Sequence, residues 1–292
     1  DYSRLEELLS ALAPHLERRC VSLALPSLRP ETVTERIVEA LARVRKSGFT
    51  IAPEAGTERL RRVINKATGD GEILAGCGRI LAAGWRNLKL YFMIGLPTED
   101  HEDLDGIASL VDAVLRMPGA GGRFRLAVSI SPFVPKPHTP FQWERQCSIE
   151  EIAEKERYLR RSIPHRRVEM SMRDPRVSAL EGILARGGRE LWPVVVDAYR
   201  SGCRFDGWRD RLRFDLWEQA LGRAGLSLGA LGAGFDSGRP LPWDAFRSKV
   251  TTDFLLRERE RAFVRKMLET PEVLLQAYDE LAPHKLAFYA LE

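Results

Sequence analysis

The sequence is poor in cysteine, with only four in 292 residues. They are Cys20, Cys77, Cys147 and Cys203, and no two of them lie within a few residues of each other. This spacing excludes a local Cys-x-x-Cys metal motif and is not typical of a disulfide framework. The sequence therefore predicts no metal site formed by these cysteines, and the cytoplasm, a reducing compartment, is the expected location.

Long apolar runs and a strong excess of one charge are also missing. The apolar stretches Val21–Leu25 and Leu88–Leu96 are much shorter than the roughly 18 residues of a membrane-spanning helix. Hydrophobic residues make up 44% of the chain and charged residues 29%, with a formal net charge of +4. These values are ordinary for a folded globular protein and predict no membrane contact.

Positive charge is concentrated in one stretch, Lys155–Arg176, which holds eight basic and three acidic residues. Such a stretch is able to contact the phosphates of a nucleic acid or of a nucleotide-bearing substrate. Such a stretch is more often a solvated helix face followed by a basic connector. No RNA-binding signature decides between the two interpretations.

Four strand-like stretches each run through a turn into a helical pattern. They are Val21–Leu25, Phe49–Ala52, Lys89–Ile94 and Arg125–Ile130. Strands that alternate with helices of this length predict parallel βαβ units. Because ligands of such folds bind at the carboxyl ends of the strands, we expect the functional residues at these four junctions. Beyond about residue 164 the pattern becomes mostly helical.

Three blocks of sequence at these junctions carry a resemblance to a known family. They are A-P-E-A-G-T-E-R-L-R at Ala52–Arg61, L-Y-F-M-I-G-L-P-T-E at Leu90–Glu99 and P-F-V-P-K-P-H-T-P-F at Pro132–Phe141. In this order they resemble the later part of a radical S-adenosylmethionine (SAM) barrel. The most similar members are an uncharacterised group in which a cobalamin-binding domain precedes the barrel. The tail of that group is similar to the blocks at Asp174–Arg176, Gly202–Trp208, Phe214–Trp217 and Leu241–Asp244.

The resemblance implies an α/β fold, a partial (β/α) barrel of the radical SAM type with about four parallel strands and a mainly helical C-terminal extension. We expect the barrel part over residues 1–163 and the extension over residues 164–292. It also implies an iron–sulfur enzyme that cleaves SAM reductively with a [4Fe–4S] cluster to modify an unknown substrate, with cobalamin as a further cofactor of the parent protein.

The superfamily holds its cluster with three closely spaced cysteines, which this sequence does not have. We therefore expect the chain to be a fragment that lacks the cobalamin domain, the first two barrel strands and the cluster loop. On its own it is expected to be inactive.

The resemblance also implies which residues bind the cofactor. Glu54 matches an acidic residue that contacts the methionyl or ribose part of SAM, although a helix N-terminal acid is the structural alternative. Ile94, Gly95, Leu96 and Pro97 match the segment that lies against the adenine, and Pro132 and Phe133 match the segment that closes over it. Weaker candidates for substrate contact are Ser27, Arg29, Lys136 and His138. No catalytic residue is identified, and Thr57 is predicted to be an N-cap.

Two other functions are compatible with the sequence. One is a methylthiotransferase that acts on RNA or a ribosomal protein, since its barrel motifs are similar. The other is a non-catalytic scaffold or binding domain whose partner supplies the missing strands and cluster.

Overall fold

The structure is a computed structural model that describes residue 2 and residues 4–23, 25, 32–43, 48–163, 166–246 and 249–268. It contains an open sheet of four parallel strands in the order β1-β2-β3-β4. The strands are β1 (Phe49–Glu54), β2 (Asn87–Ile94), β3 (Arg125–Pro132) and β4 (Val168–Met172). Helices connect consecutive strands and a helical extension follows, which confirms the predicted fold class.

Several helices begin at a capping side chain that the sequence supplies. The hydroxyl of Thr57 accepts a hydrogen bond from the amide of Leu60, and Asp100 forms a capping box with Asp103. The helices are α1 (Leu5–Arg18), α2 (Glu35–Ala42), α3 (Glu58–Val63), α4 (Asp70–Ala82), α5 (His101–Arg116), α6 (Ile149–Ser162), α7 (Pro175–Arg186), α8 (Leu191–Arg200), α9 (Phe214–Arg223), α10 (Leu228–Gly232) and α11 (Thr252–Leu268). Thr57 is thus confirmed as an N-cap.

Alternating burial along the strands sets the register of the sheet. In β2 the side chains of Leu88, Leu90 and Phe92 are buried, while those between them are half-exposed. Phe49 of β1 lies opposite Leu88, and Ile51 lies opposite Leu90. β4 pairs in parallel with β3 along its whole length. The carboxyl ends of all four strands therefore lie at the same edge of the sheet.

One predicted strand is wrong for the part of it that the structure describes. Residues 21–23 and 25 contain no strand, and the amide of Val21 donates instead to the carbonyl of Leu16 in the last turn of α1. Leu23 and Leu25 line a small cavity beside Phe49. The fourth strand is β4, in the stretch that the sequence indicated to be a basic connector.

The described residues form two compact units. The sheet unit comprises those within residues 1–93, 100–131 and 157–172. It is built on the strands, with Ile51, Leu90, Val111 and Val128 almost fully buried. The helical unit comprises those within residues 94–99, 132–156 and 173–268.

The helical unit has two apolar clusters. In one, Leu180, Leu191 and Trp217 of α7, α8 and α9 pack together, and these helices confirm the helical prediction for that region. In the other, Trp143 packs with Trp243. α11 is the last described helix, and residues 269–292 lie outside the described residues. Within the described ranges, no helix has the length and apolar character needed to span a membrane.

Candidate functional site

Glu54 ends β1 in an unusual backbone conformation. Its φ is 73°, in the left-handed region that residues with a side chain rarely adopt. Its carboxylate lies 3.1 Å from the ammonium nitrogen of Lys66, which also donates to the carbonyl of Ala52. The Glu54 side chain remains 30% exposed. Because strained backbone concentrates at functional sites, this acid and its lysine are a candidate ligand-binding pair.

A buried carboxylate joins the helix that follows Glu54 to α5. Asp103 accepts the hydroxyl of Thr57, the N-cap of α3, and is ion-paired with Arg59. Burial raises the pKa of Asp103, whereas its hydrogen bonds with Thr57 and Asp100 and the charge of Arg59 act in the opposite direction. This network fixes the start of α3 and the loop that precedes it.

Arg61 is a fully buried arginine of α3. Its guanidinium donates to the carbonyl of Ala55 at 2.9 Å and to that of Thr68 at 2.7 Å, and it is ion-paired with Asp70. Ala55 follows Glu54 directly, and Thr68 lies two residues after Lys66. One side chain therefore holds both segments that carry the Glu54–Lys66 pair.

The turn after β2, in the helical unit, is closed by a buried acid. Both carboxylate oxygens of Glu99 lie 2.9 Å from the amide nitrogen of Gly95, and the ammonium of Lys155 is 2.7 Å from Glu99. The Glu99 side chain is only 2% exposed. This glutamate holds the turn, and the next residue, Asp100, caps α5.

The residues predicted to lie against an adenine are largely buried. Ile94 and Leu96 are 0% and 4% exposed, and the carbonyl of Ile94 accepts the amide of Phe133 at 2.8 Å. The structure thus brings Ile94 and Phe133 together in the helical unit. Pro97 and Phe133 remain half-exposed and Pro132 is buried, so Pro97 and Phe133 offer the most accessible apolar surface of this group.

The space at Gly95 is occupied by the chain itself. A methyl group on its α-carbon would lie 3.0 Å from the sulfur of Cys147 and 3.1 Å from Cδ1 of Ile152. The φ of Gly95 is +77°, which also favours glycine. Glycine at this position is therefore required by internal packing and backbone conformation.

Replacing Gly95 by alanine is expected to destabilise the helical unit by about 1–3 kcal/mol, because the methyl group meets Cys147 and the backbone is left-handed. Urea unfolding monitored by circular dichroism measures the change. Gly222→Ala in α9 is the matched control, because a methyl group there would have no neighbour within 4 Å. It should leave the free energy of unfolding unchanged or raise it. Adding Cys147→Ala should restore part of the loss; no restoration would contradict the steric explanation.

The weaker substrate candidates have local structural roles where they are described. Lys136 is ion-paired with Glu181 of α7. His138 has φ of 58° and donates its amide to a side chain within its own loop. Ser27 and Arg29 lie outside the described residues. Contact of these four residues with substrate stays a prediction.

Several members of the basic stretch Lys155–Arg176 have partners within the chain. Their partners are carboxylates or main-chain carbonyls: Lys155 pairs with Glu99, Arg167 donates to the carbonyls of Leu115 and Ala120, Arg173 pairs with Glu181, and Arg176 pairs with Asp174. These contacts agree with a structural role, and nucleic-acid binding by this stretch stays a prediction.

The described cysteines do not fit an iron–sulfur cluster. All four are free thiols, and burial raises the pKa of Cys77 to about 12 and also raises those of Cys147 and Cys203. Cluster ligands are thiolates that converge on one point. In the part of the chain that the structure describes, no three His, Cys, Asp or Glu side chains are grouped to hold a metal.

The fold and the Glu54 junction define a parallel α/β protein with candidate ligand residues at the ends of its strands. Residues 1–111 match the sequence model of the Radical SAM superfamily. A stretch of 191 residues, 65% of the chain, is 29% identical to an uncharacterized protein of Methanocaldococcus jannaschii. The match spans 40% of that relative, so the chain covers less than half of its length. These matches show what the first part of the chain is similar to and leave the substrate open.

Proposed function

We propose that this chain contributes the SAM-binding strand ends of a radical SAM enzyme that modifies a substrate of unknown identity. The observation that carries the proposal is Glu54, an acid in left-handed backbone at the carboxyl end of a parallel strand, within the stretch that matches the superfamily. The matches reported above favour neither the methylthiotransferase nor the scaffold.

The Glu54–Lys66 pair has the chemistry that SAM requires. A carboxylate accepts hydrogen bonds from ribose hydroxyls or from the ammonium of the methionyl group. Lys66 holds that carboxylate in place, and Arg61 fixes the two segments that carry the pair. In the proposal, Glu54 binds the polar part of the cofactor, and contact of Ile94–Pro97, Pro132 and Phe133 with the adenine stays a separate prediction.

Bound SAM would supply radical chemistry to the enzyme if an iron–sulfur centre were present to reduce it. The residues described here bind and orient the cofactor and shield it from water. Because the described thiols do not fit a cluster, the proposal assigns the iron–sulfur centre to a part of the longer protein that these residues do not form. Cobalamin association, the cytoplasmic location and substrate contact by Lys136 or His138 are further parts of the proposal.

Glu54→Gln is expected to weaken SAM binding by roughly tenfold or more, because a charge-assisted hydrogen bond contributes about 1.5–3 kcal/mol. Saturation-transfer NMR of SAM with the 292-residue chain detects weak binding and reports which ligand protons lie near the protein. Glu102→Gln, an exposed acid in the first turn of α5, is the matched control and should bind as the wild type does.

Thermal unfolding of both variants separates lost binding from lost folding. A Glu54→Gln chain that unfolds at the wild-type temperature and binds SAM with unchanged affinity would overturn the role of Glu54. If millimolar SAM receives no saturation from the wild-type chain, the proposal that these strand ends bind the cofactor is overturned.

A further inference from the structure

The helical unit presents aromatic rings and arginines together on one short segment, Tyr199–Arg213. It contains five arginines and two aspartates. Phe205 is 76% exposed, Trp208 69% and Tyr199 58%. We call it the aromatic–arginine segment. Three large rings at this level of exposure in 15 residues mark a surface whose rings are available to a partner.

The segment is held in a defined shape although its rings face solvent. The buried sulfur of Cys203 lies 3.8 Å from the carbonyl oxygen of Arg213, and the amide of Arg213 donates to Asp206 at 3.3 Å. The amide of Trp208 donates to the carbonyl of Phe205 at 2.9 Å. Phe205 itself has φ of 58°, a strained conformation for a bulky residue. The rings are therefore presented on a preorganised loop, which lowers the entropy cost of binding.

Guanidinium groups lie next to these rings. The Arg204 guanidinium carbon is 3.4 Å from the centroid of the Tyr199 ring, a close stacking arrangement. Arg211 and Arg213 are paired with neighbouring aspartates at 3.4 Å, in exposed ion pairs that contribute little and exchange readily for other anions. The aspartate Asp206 is engaged within the loop.

The surface continues onto α8. Trp192, 71% exposed, precedes Tyr199 by seven residues, which places both rings on the same face of the helix two turns apart. A groove of about 450 Å³ beside Trp192 is lined among others by Arg200 and by Arg223, which is paired at 2.6 Å with Asp197 of the same groove. A groove of this size, with a flat indole and two guanidinium groups along its walls, has room for one nucleotide.

We propose that the aromatic–arginine segment, with the Trp192 groove, binds single-stranded nucleic acid. Unpaired bases stack on Phe205, Trp208 and Trp192, and phosphates pair with the arginines that alternate with these rings. The five arginines against two aspartates of the segment favour an anionic partner, and a duplex keeps its base faces stacked away from such rings. This inference does not depend on SAM binding.

The test is fluorescence anisotropy with labelled single strands of about 15 nucleotides, oligo-U RNA and oligo-dT DNA, at about 50 mM salt. Phe205→Ala with Trp208→Ala is expected to weaken binding at least about tenfold, whereas Trp208→Phe, which keeps a stacking face, should retain most of the affinity. Arg200→Ala with Arg204→Ala should make the slope of log K against log salt shallower by about 1.4, because each lost phosphate contact removes about 0.7.

The matched control is Phe246→Ala with Arg239→Ala, which removes an equally exposed ring and arginine elsewhere in the helical unit. It should bind as the wild type does. Binding of only one of the two single strands supports the proposal and identifies the sugar that is recognised. The proposal is overturned if neither strand binds, if the stacking variant binds normally, or if the control loses as much affinity.

Discussion

Replacing Gly56 by alanine is expected to destabilise the sheet unit by about 3 kcal/mol or more. A methyl group there would lie 1.9 Å from the carbonyl oxygen of Asp103 and 2.5 Å from the amide nitrogen of Ile107. Both are main-chain atoms of α5, so no side-chain rotation relieves the clash. The helix has to move away from Thr57, which breaks the hydrogen bond between Thr57 and Asp103.

The reciprocal change tests the same contact from the other side. A methyl group at Gly106 of α5 would lie 2.6 Å from the carbonyl oxygen of Gly56. Glycine to alanine inside a helix normally stabilises by up to about 1 kcal/mol. Gly78→Ala in α4, with no neighbour within 4 Å, should show that gain, whereas Gly106→Ala should show a loss.

Urea unfolding of Gly56→Ala, Gly106→Ala and Gly78→Ala measures the three free energies of unfolding. Because the Gly56 loop carries Glu54, the first two variants should also lose saturation transfer to SAM. Equal stability changes in Gly106→Ala and Gly78→Ala would show that the two backbones do not approach each other as closely as described.

The parts of the fold that sequence predicted are those with strong local signals. The strands at Phe49–Ala52, Lys89–Ile94 and Arg125–Ile130 are largely apolar and are followed within two residues by glycine or proline, and the last two alternate in burial. Strand β4 escaped prediction because Val168–Met172 is short and lies next to arginines. Its position in the sheet comes from pairing with β3, a contact between residues about forty positions apart.

Conversely, the apolar run Val21–Leu25 looked like a strand because composition was the only signal. In the structure its first amide belongs to the last turn of α1, and its leucines pack beside β1. Hydrophobicity predicts burial more reliably than it predicts strand pairing, since pairing depends on which neighbour is available.

At the candidate site, too, the sequence pointed to residues within contiguous motifs but not to their partners from distant parts of the chain. Motif matching selected Glu54, Gly95 and the Pro132–Phe133 segment as cofactor contacts because those blocks are contiguous in sequence, and that role stays a prediction. It did not identify Lys66, which lies twelve residues after Glu54, or Lys155, which lies 56 residues after Glu99. Ion pairs across loops of this length leave no periodic trace in the sequence.

The buried position of Arg61 was also not predicted, because an arginine in a short helix is usually exposed. Its substitution has the second large expected effect. Arg61→Met removes every hydrogen bond to the carbonyls of Ala55 and Thr68 while keeping most of the side-chain volume. Each buried carbonyl left without a donor costs about 1–3 kcal/mol, so we expect a loss of about 3–5 kcal/mol in the free energy of unfolding.

Arg62→Met is the matched control, one position along the same helix. The Arg62 side chain is 51% exposed and lies 3.4 Å from Glu58, an exposed pair that contributes only about 0–1 kcal/mol. The free energy of unfolding of Arg61→Lys should fall between those of the wild type and Arg61→Met. One ammonium group does not reproduce the planar guanidinium that reaches two carbonyls and Asp70.

Urea unfolding measures the stability of the three variants, and saturation transfer to SAM reports the Glu54 loop separately. If Arg61 holds the Glu54 and Lys66 segments together, Arg61→Lys should bind SAM more weakly even at temperatures where it remains folded. Equal stability of Arg61→Met and Arg62→Met would contradict the buried role of Arg61. Full SAM binding by a folded Arg61→Lys chain would show that the guanidinium supports the fold and not the geometry of the Glu54–Lys66 pair.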